Sequence, residues 1–470
     1  MPATTDKHTQ NGQAARLAGS YGNRFMTEPV PSDRLPETSN PANVAYHLLH
    51  DEVTLDGKPA QNLATFCTTW MEPEADKLIA EGMHYNLADE DEYPHVLRIQ
   101  KTCVDMMAHL FHAPDTATDG GGMGAATIGS SEAMMLAGLA MKFNWRNRRR
   151  EAGLPTDKPN IIMGTNVQIC WKKFARYFDV EPKLLPLEPG RYVVTPEQVA
   201  EAVDENTIGV CAVVGSTFTG EFEDVKAIND TLERINEQNS WQVPIHVDGA
   251  SGGFVAPFLY PDLEWDFRVP LVQSINISGH KYGLCYPGIG WVIWRNRAAV
   301  PEDLVFRVNY LGGEMETFTL NFSRPASGVL AQAYNFLRLG HEGYSTVMHA
   351  LKQNADYIRE RIAEAGDFDM LGDDRSLPLV AWAINDDAPY TAFDLSDKLR
   401  ERGWIVPAYT MPKHAESVAC LRAVARENMS RTLADDFVQD VLWAAGELRR
   451  LKPKLAAEAI ESATERGLIC

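Results

Sequence analysis

The sequence predicts an α/β fold: a mainly parallel sheet flanked by helices, preceded by an N-terminal segment and followed by a small α+β region. Three observations lead there. Between about Asn62 and Gly340, short apolar runs alternate with stretches of helical periodicity, the pattern of parallel strands joined by crossover helices. After a long helical stretch the order changes to strand, helix, strand, helix. A chain of 470 residues, 45% hydrophobic and 23% charged, is also long enough for two or three domains and a large buried core.

The opening stretch, rich in Thr, Asn, Gly, Ser and Pro, reads as an arm. Apolar runs at 160–163, 208–214, 243–247, 272–277 and 290–294 read as strands, and 132–145, 196–203 and 225–237 as helices. Residues 344–365 read as one helix bridging to the final region, where strands at 379–384 and 418–424 flank a helix at 392–402. In the last helix Leu433, Phe437, Val441 and Leu442 share a face. The expected division is an arm over 1–60, a large domain over 61–350 and a small domain over 351–470.

With 44 Lys and Arg against 64 Asp and Glu, the net charge of −20 argues against nucleic acid or an anionic membrane as partner. No apolar run approaches a membrane span, and the first residues lack the apolar core of a secretion signal, so no stable membrane insertion and a cytoplasmic location are expected. The seven cysteines are scattered without a Cys-x-x-Cys pair and read as reduced thiols, and Cys470 is misplaced for prenylation. Glycosylation-like patterns at Asn276, Asn321 and Asn428 are read as coincidence, and the basic run 144–150 as a solvated helix end.

Chemistry enters with Lys281, which follows the 272–277 run in Ser278-Gly-His280-Lys281-Tyr. Burial there disfavours the ammonium form and brings a free amine within reach. A free amine attacks aldehydes, and the aldehyde cofactor held this way is pyridoxal phosphate. Taken alone, the lysine fits a surface loop or an ion pair equally well. Asp248 closes the 243–247 run, at the strand end where parallel sheets bind ligands. A carboxylate there can keep a cofactor ring nitrogen protonated, although a turn cap also explains it. One crossover and one strand separate the two residues, which places them at neighbouring strand ends facing one crevice.

Ser130 and Ser131 open a strong helix after a glycine cluster, offering N–H groups and hydroxyls to a phosphate; simple N-capping explains them too. Gln168 is placed to lie against a ring, Thr217 to bond a ring oxygen, and His280 to touch phosphate or ring. Each alone is more often a satisfied structural group than a site residue, and their joint position after separate strands is what counts.

In order, Asn62-Leu-Ala-Thr65-Phe66-Cys, Thr127-Ile-Gly-Ser130-Ser131-Glu, Val167-Gln168-Ile-Cys-Trp, His246-Val-Asp248, Ser278-Gly-His280-Lys281 and Asn321-Phe-Ser323-Arg-Pro resemble the glutamate decarboxylases. These are group II pyridoxal-phosphate enzymes of the aspartate-aminotransferase-like fold (fold type I). The resemblance runs from about Ala45 to Arg450. It implies α-decarboxylation of L-glutamate to 4-aminobutyrate and CO₂, consuming a proton, in a homodimer or higher homo-oligomer such as a hexamer, with no metal.

The resemblance also implies roles. Lys281 would bind the cofactor aldehyde and Asp248 its ring nitrogen. Gln168 would stack on the ring, where relatives acting on aromatic amino acids use histidine, and Thr217 would sit near the ring hydroxyl. Ser130, Ser131 and His280 would hold the phosphate, with Ser323 from a neighbouring subunit; Ser278 belongs to the same cofactor set. Arg422 would hold the α-carboxylate. Thr65, Phe66, Asn86 and Asp89 would receive the distal carboxylate, some across a dimer interface. Tyr310 lies on what resembles a mobile covering loop and is a candidate proton donor. The alternative is another group II amino-acid decarboxylase, with Gln168 and the Thr65-Phe66 segment favouring glutamate.

Two departures stand out. Some members of the family carry a C-terminal histidine that shuts the site as pH rises; here no histidine follows His414. Plant members carry a calmodulin-binding tail. Trp443 and Arg449-Arg-Leu-Lys-Pro-Lys454 offer an aromatic and some charge, but the Ala/Glu-rich stretch beyond reads as an ordinary helix, so calmodulin is not an expected partner. Deleting 456–470 should therefore leave the pH–activity profile unchanged; a gain of activity at high pH in the truncated enzyme would reveal a tail gate.

Overall fold

A computed structural model describes residues 29–88, 91–114, 121–309 and 315–451. The chain forms two compact units, Met1–Gln61 and Asn62–Cys470. In the first, the helix Ala42–Val53 is followed by a single turn, Pro59–Gln61.

The second unit is built on a seven-stranded sheet. Its strands are β1 (Met123–Thr127), β2 (Asn160–Gly164), β3 (Glu181–Leu185), β4 (Thr207–Val213), β5 (Ile245–Asp248), β6 (Val272–Ile277) and β7 (Gly290–Trp294), in the order β1-β7-β6-β5-β4-β2-β3. Strands β3, β2, β4, β5 and β6 run parallel. Their crossovers include α1 (Gly129–Glu151), α2 (Ile169–Tyr177) and α3 (Val225–Asn239). Both faces are covered. Alternate residues such as Ile162, Val210 and Ala212 enter one apolar cluster, while Ile161, Met163, Cys211 and Val213 enter the other with Ala133, Leu136 and Ala137 of α1.

The five expected strands are all present. Missing from the sequence reading were β1, whose Met-Gly-Ala-Ala-Thr composition carries no strand signal, and β3, which holds Pro182 and Lys183. Both are edge strands, where such residues are tolerated. Strand β7 runs antiparallel to β6 because no helix joins them; the connection is the short loop bearing Lys281.

Strands β8 (Phe306–Val308) and β9 (Met315–Thr317) form a separate pair. The long helix α4 spans Ser327–Ala363, starting well before the expected position 344. Gly340 interrupts it with φ 57° and ψ −168°, so the second half is the part the periodicity picked out. The expected domain boundary near 350 falls within this helix.

A four-stranded antiparallel sheet follows, with β10 (Phe368–Leu371), β11 (Leu379–Ile384), β12 (Ala408–Thr410) and β13 (Ala419–Val424) in the order β10-β11-β13-β12. The last helix, α5 (Arg431–Arg450), buries Phe437 and Val441 fully and Leu433 and Leu442 in part. Phe437 meets Trp404 edge-on, with ring centroids 5.1 Å apart.

One close approach ties β7 to the start of α1. A Cβ added to Gly290 would lie 2.4 Å from the Gly129 carbonyl carbon and 2.7 Å from the Ser130 nitrogen. Gly290→Ala should therefore cost about 1–3 kcal/mol by forced displacement of backbone, read as a lowered urea midpoint.

Candidate active site

Parallel pairing of β4, β5 and β6 brings Val213, Asp248 and Asn276 level at the carboxyl ends of their strands. Asp248 is buried there, and donors from three directions hold its carboxylate. The Trp171 indole donates to Oδ2 at 3.0 Å, the Asn276 amide to Oδ1 at 3.0 Å and the Ala250 N–H to Oδ1 at 3.1 Å. Asn276 is oriented in turn by His246, whose Nε2 lies 2.7 Å from its Oδ1, while His246 Nδ1 lies 2.8 Å from Ser274 Oγ. Burial takes the His246 imidazole down to about 4.

Lys281 sits in the β6–β7 loop, with its Nζ 3.0 Å from Ser251 Oγ and 5.4 Å from the centre of the Phe66 ring. Desolvation draws its amine below the ordinary lysine range. Asp248, Cys67 and Cys170 oppose that shift, and Arg422 adds to it. The amine and the Asp248 carboxylate thus share one electrostatic environment. The loop is fixed by backbone: Thr68 N donates to the His280 carbonyl at 2.9 Å and Thr68 Oγ1 to the Lys281 carbonyl at 2.8 Å. Burial, then the neighbouring lysine charge, lowers His280 to about 4, so its imidazole is neutral in ordinary buffers.

No side chain caps the first turn of α1, so the capping role open to its serines goes unused. Ser130 instead bonds Ser278, and Ser131 Oγ lies 2.8 Å from Cys170 Sγ. Glu132 folds back to accept from Ile128 N at 2.8 Å and from the Asn321 backbone N–H at 3.0 Å. Gln168, just ahead of α2, donates to Thr217 Oγ1. Arg422 on β13 is tethered by two carbonyls, Thr217 O and Ala64 O, each at 2.5 Å, and its guanidinium lies 4.7 Å from the Phe66 ring centre. Thr65, beside Phe66, accepts from Cys67 N at 3.0 Å.

The structure therefore links Lys281, Phe66, Arg422, Thr217 and Gln168 through one set of contacts, with Asp248 acting on Lys281 through its charge. Asn86 and Ser323 form a second group: Asn86 Nδ2 donates to Ser323 Oγ at 3.4 Å, and Asn86 Oδ1 accepts from Arg324 N at 3.0 Å. Asp89 and Tyr310 lie outside the described residues. Sequence reasoning assigned no role to Trp171, Asn276 or Ser251. Asn276 was legible in principle, since it lies two residues before Ser278 on a strand that must pair with the one ending in Asp248. Its burial also removes it as a glycosylation site.

Two buried nitrogens in this region, His280 Nδ1 and Arg422 Nε, have no hydrogen-bond partner among the described residues. An uncapped helix start with two serines, an amine with depressed proton affinity and a pinned carboxylate form a donor set that fits pyridoxal phosphate. The pyridoxal-dependent decarboxylase conserved domain matches residues 36–385. This chain belongs to the pyridoxal-dependent decarboxylase family.

Among its relatives, the glutamate decarboxylase of Solanum lycopersicum is 52% identical over 95% of this chain and 89% of its own length. That of Aliivibrio fischeri is 46% identical over 90% of each. The solved glutamate decarboxylase of Lactobacillus brevis superposes with a TM-score of 0.87 at 40% identity, covering 91% of this chain and 98% of that one. A sphingosine-1-phosphate lyase from Burkholderia pseudomallei, at 22% identity and a TM-score of 0.76, shares the fold. Within this decarboxylase, Trp171→Phe removes a donor from a buried carboxylate. We expect it to cost about 1–3 kcal/mol in urea unfolding and to weaken cofactor retention on gel filtration.

Proposed function

We propose that this protein removes the α-carboxylate of L-glutamate to give 4-aminobutyrate and CO₂, consuming one proton. The observation that carries the reading is the shared electrostatic environment of Lys281, Asp248 and Arg422, the first two from neighbouring strand ends of the main sheet and the third from within β13, in a chain so similar to glutamate decarboxylases along nearly all its length. When bound, pyridoxal phosphate supplies an electron-poor ring that takes up the electron pair released as CO₂ leaves.

The chain's own residues do the rest. Lys281, kept amine-like by burial, is the residue that would hold the cofactor through its aldehyde. Asp248, fixed in place by three donors, would hold the cofactor's ring nitrogen. Gln168 and Thr217, bonded together, form one wall. Ser130, Ser131, Ser278 and the neutral His280 form the cradle for the phosphate. Arg422, with two N–H groups already spent on carbonyls, presents its remaining donors to the α-carboxylate from a fixed position. Thr65 and Phe66 border the place of the substrate side chain, and Tyr310 is the proposed proton donor to Cα.

The assembly we propose is a homodimer or a larger homo-oligomer in the cytoplasm. Supporting it, apolar Ile128, Ile169, Leu320 and Phe322 are exposed beside the residues that open α1 and α2, where a second copy would cover them and bring its own Asn86, Asp89 or Ser323. The six described cysteines are free thiols, and no described helix is long and apolar enough to cross a membrane.

The test is 4-aminobutyrate formation from glutamate with and without added cofactor. Lys281→Ala should abolish the visible cofactor band and lower turnover by roughly a thousandfold or more. An unchanged band in that variant, or preference for tyrosine, histidine or cysteine sulfinate over glutamate, would overturn the reading.

A further inference from the structure

Glu223 is a buried carboxylate that the mechanism above does not use. It is 2% exposed and directly follows the loop 215–222, which leaves β4 and returns beside it. The loop closes on itself: Ser216 N donates to Glu221 O at 2.8 Å and Gly220 N to Ser216 O at 2.9 Å, with Val214 bridging Phe222. Glu223 locks its base. Its N–H donates to Val213 O at 3.0 Å, its Oε2 accepts from Val213 N at 2.7 Å, and its Oε1 accepts from Asn166 Nδ2 at 3.1 Å and Val194 N at 3.4 Å.

Two site groups depend on this base. Val213 is the paired neighbour of Asp248, and Val214 N donates to the Asp248 carbonyl at 2.9 Å. The loop itself carries Thr217, which meets Gln168 through its hydroxyl and Arg422 through its carbonyl. Glu223 thus stands behind the ring-nitrogen carboxylate and beneath the loop that holds the carboxylate-binding arginine.

We propose that Glu223 is a positioning residue whose proton occupancy sets the charge behind Asp248 and the seating of the Thr217 loop, building a pH response into this loop. The inference rests on the function proposed above and adds the group that regulates it.

The surroundings define the titration. Asp248 faces Glu223 from β5 with a like charge; Cys211 on β4 is a buried thiol pushed up by burial and by both carboxylates. Asn166 approaches from the end of β2, and Val194 N from the segment after β3. On its own loop Glu221 is also raised by burial, while Asp224 is exposed and caps α3. No cation bonds Glu223 among the described residues. Burial raises its carboxyl to about 7; the three donors oppose that and Asp248 reinforces it.

A carboxyl raised from 4.5 to about 7 binds more protons folded than unfolded, so its stabilising contribution is full below pH 4.5 and lost as pH rises to about 7. Above that, the new charge holds protons on neighbouring site groups.

The test uses full-length holoenzyme, comparing wild type with Glu223→Gln and with Asp224→Asn as the exposed neighbour. In Glu223→Gln the pH midpoint of the cofactor's absorbance transition should fall by about one unit. Its unfolding constant in urea, relative to wild type, should decrease by on the order of a hundredfold between pH 4.5 and pH 8. Asp224→Asn should move neither. Absorbance and stability profiles of Glu223→Gln that parallel wild type would overturn the proposal. Should Glu223→Gln not fold, Asn166→Ala removes a donor to the ionised form and should shift the pH-dependent loss of stability to higher pH; no shift overturns the proposal. A wild-type protein with no cofactor band would sink the decarboxylase reading instead, with the unfolding comparison still reporting on Glu223.

Discussion

The Asp248 carboxylate receives an indole N–H from α2, an amide N–H from β6 and a backbone N–H from its own turn. Leaving such a group buried without these donors would cost several kcal/mol, so the three elements are held in mutual register by its need for partners. The same convergence explains why His246, two residues earlier on the same strand, is buried with both ring nitrogens bonded: it orients Asn276, and Asn276 orients Asp248. A chain of neutral polar groups thereby fixes one charge within an apolar sheet.

The second constraint is the β6–β7 loop. Its floor is the Gly283 carbonyl, which accepts from Tyr344 Oη at 2.9 Å and from the Gln332 and Asn335 amides at 3.2 Å each, all on α4. A side chain at Gly279 would displace the Gln332 amide, with Oε1 2.5 Å from the added Cβ, and disturb the bonds that Gln332 makes beneath the loop. Thr68 pins the upper side through the His280 and Lys281 carbonyls. With both surfaces fixed, the amine of Lys281 is confined to the neighbourhood of Ser251 and Phe66.

Much of this was legible in the sequence because strand ends in a parallel sheet are ordered by simple alternation. The runs ending near Val214, Val247 and Ile277 set Thr217, Asp248 and Lys281 just beyond successive strand ends. What was not legible has physical causes. Strand β1 is centred on Gly-Ala-Ala, with Gly124 close against the Val292 carbonyl, and is silent in any periodicity. The kink at Gly340 hid the first half of α4, since one positive-φ residue resets the phase of the helix. The roles of Trp171 and Asn276 come from contacts between elements far apart in sequence, which no local pattern encodes. The serines of α1 show the reverse case: a spacing that suited a helix cap is spent on Ser278 and Cys170.

The antiparallel return of β7 separates the site into parts with different freedom to evolve. The loop over 278–289 is gripped at both ends by adjacent strands and from below by a helix, so its length and composition are closed to drift. The walls contributed by Thr65-Phe66 and by the loop bearing Thr217 lie outside that grip and are joined to each other by Arg422, which donates to the Ala64 and Thr217 carbonyls. New substrate preferences in descendants of such a protein would arise by exchanging those walls around an unchanged anchor.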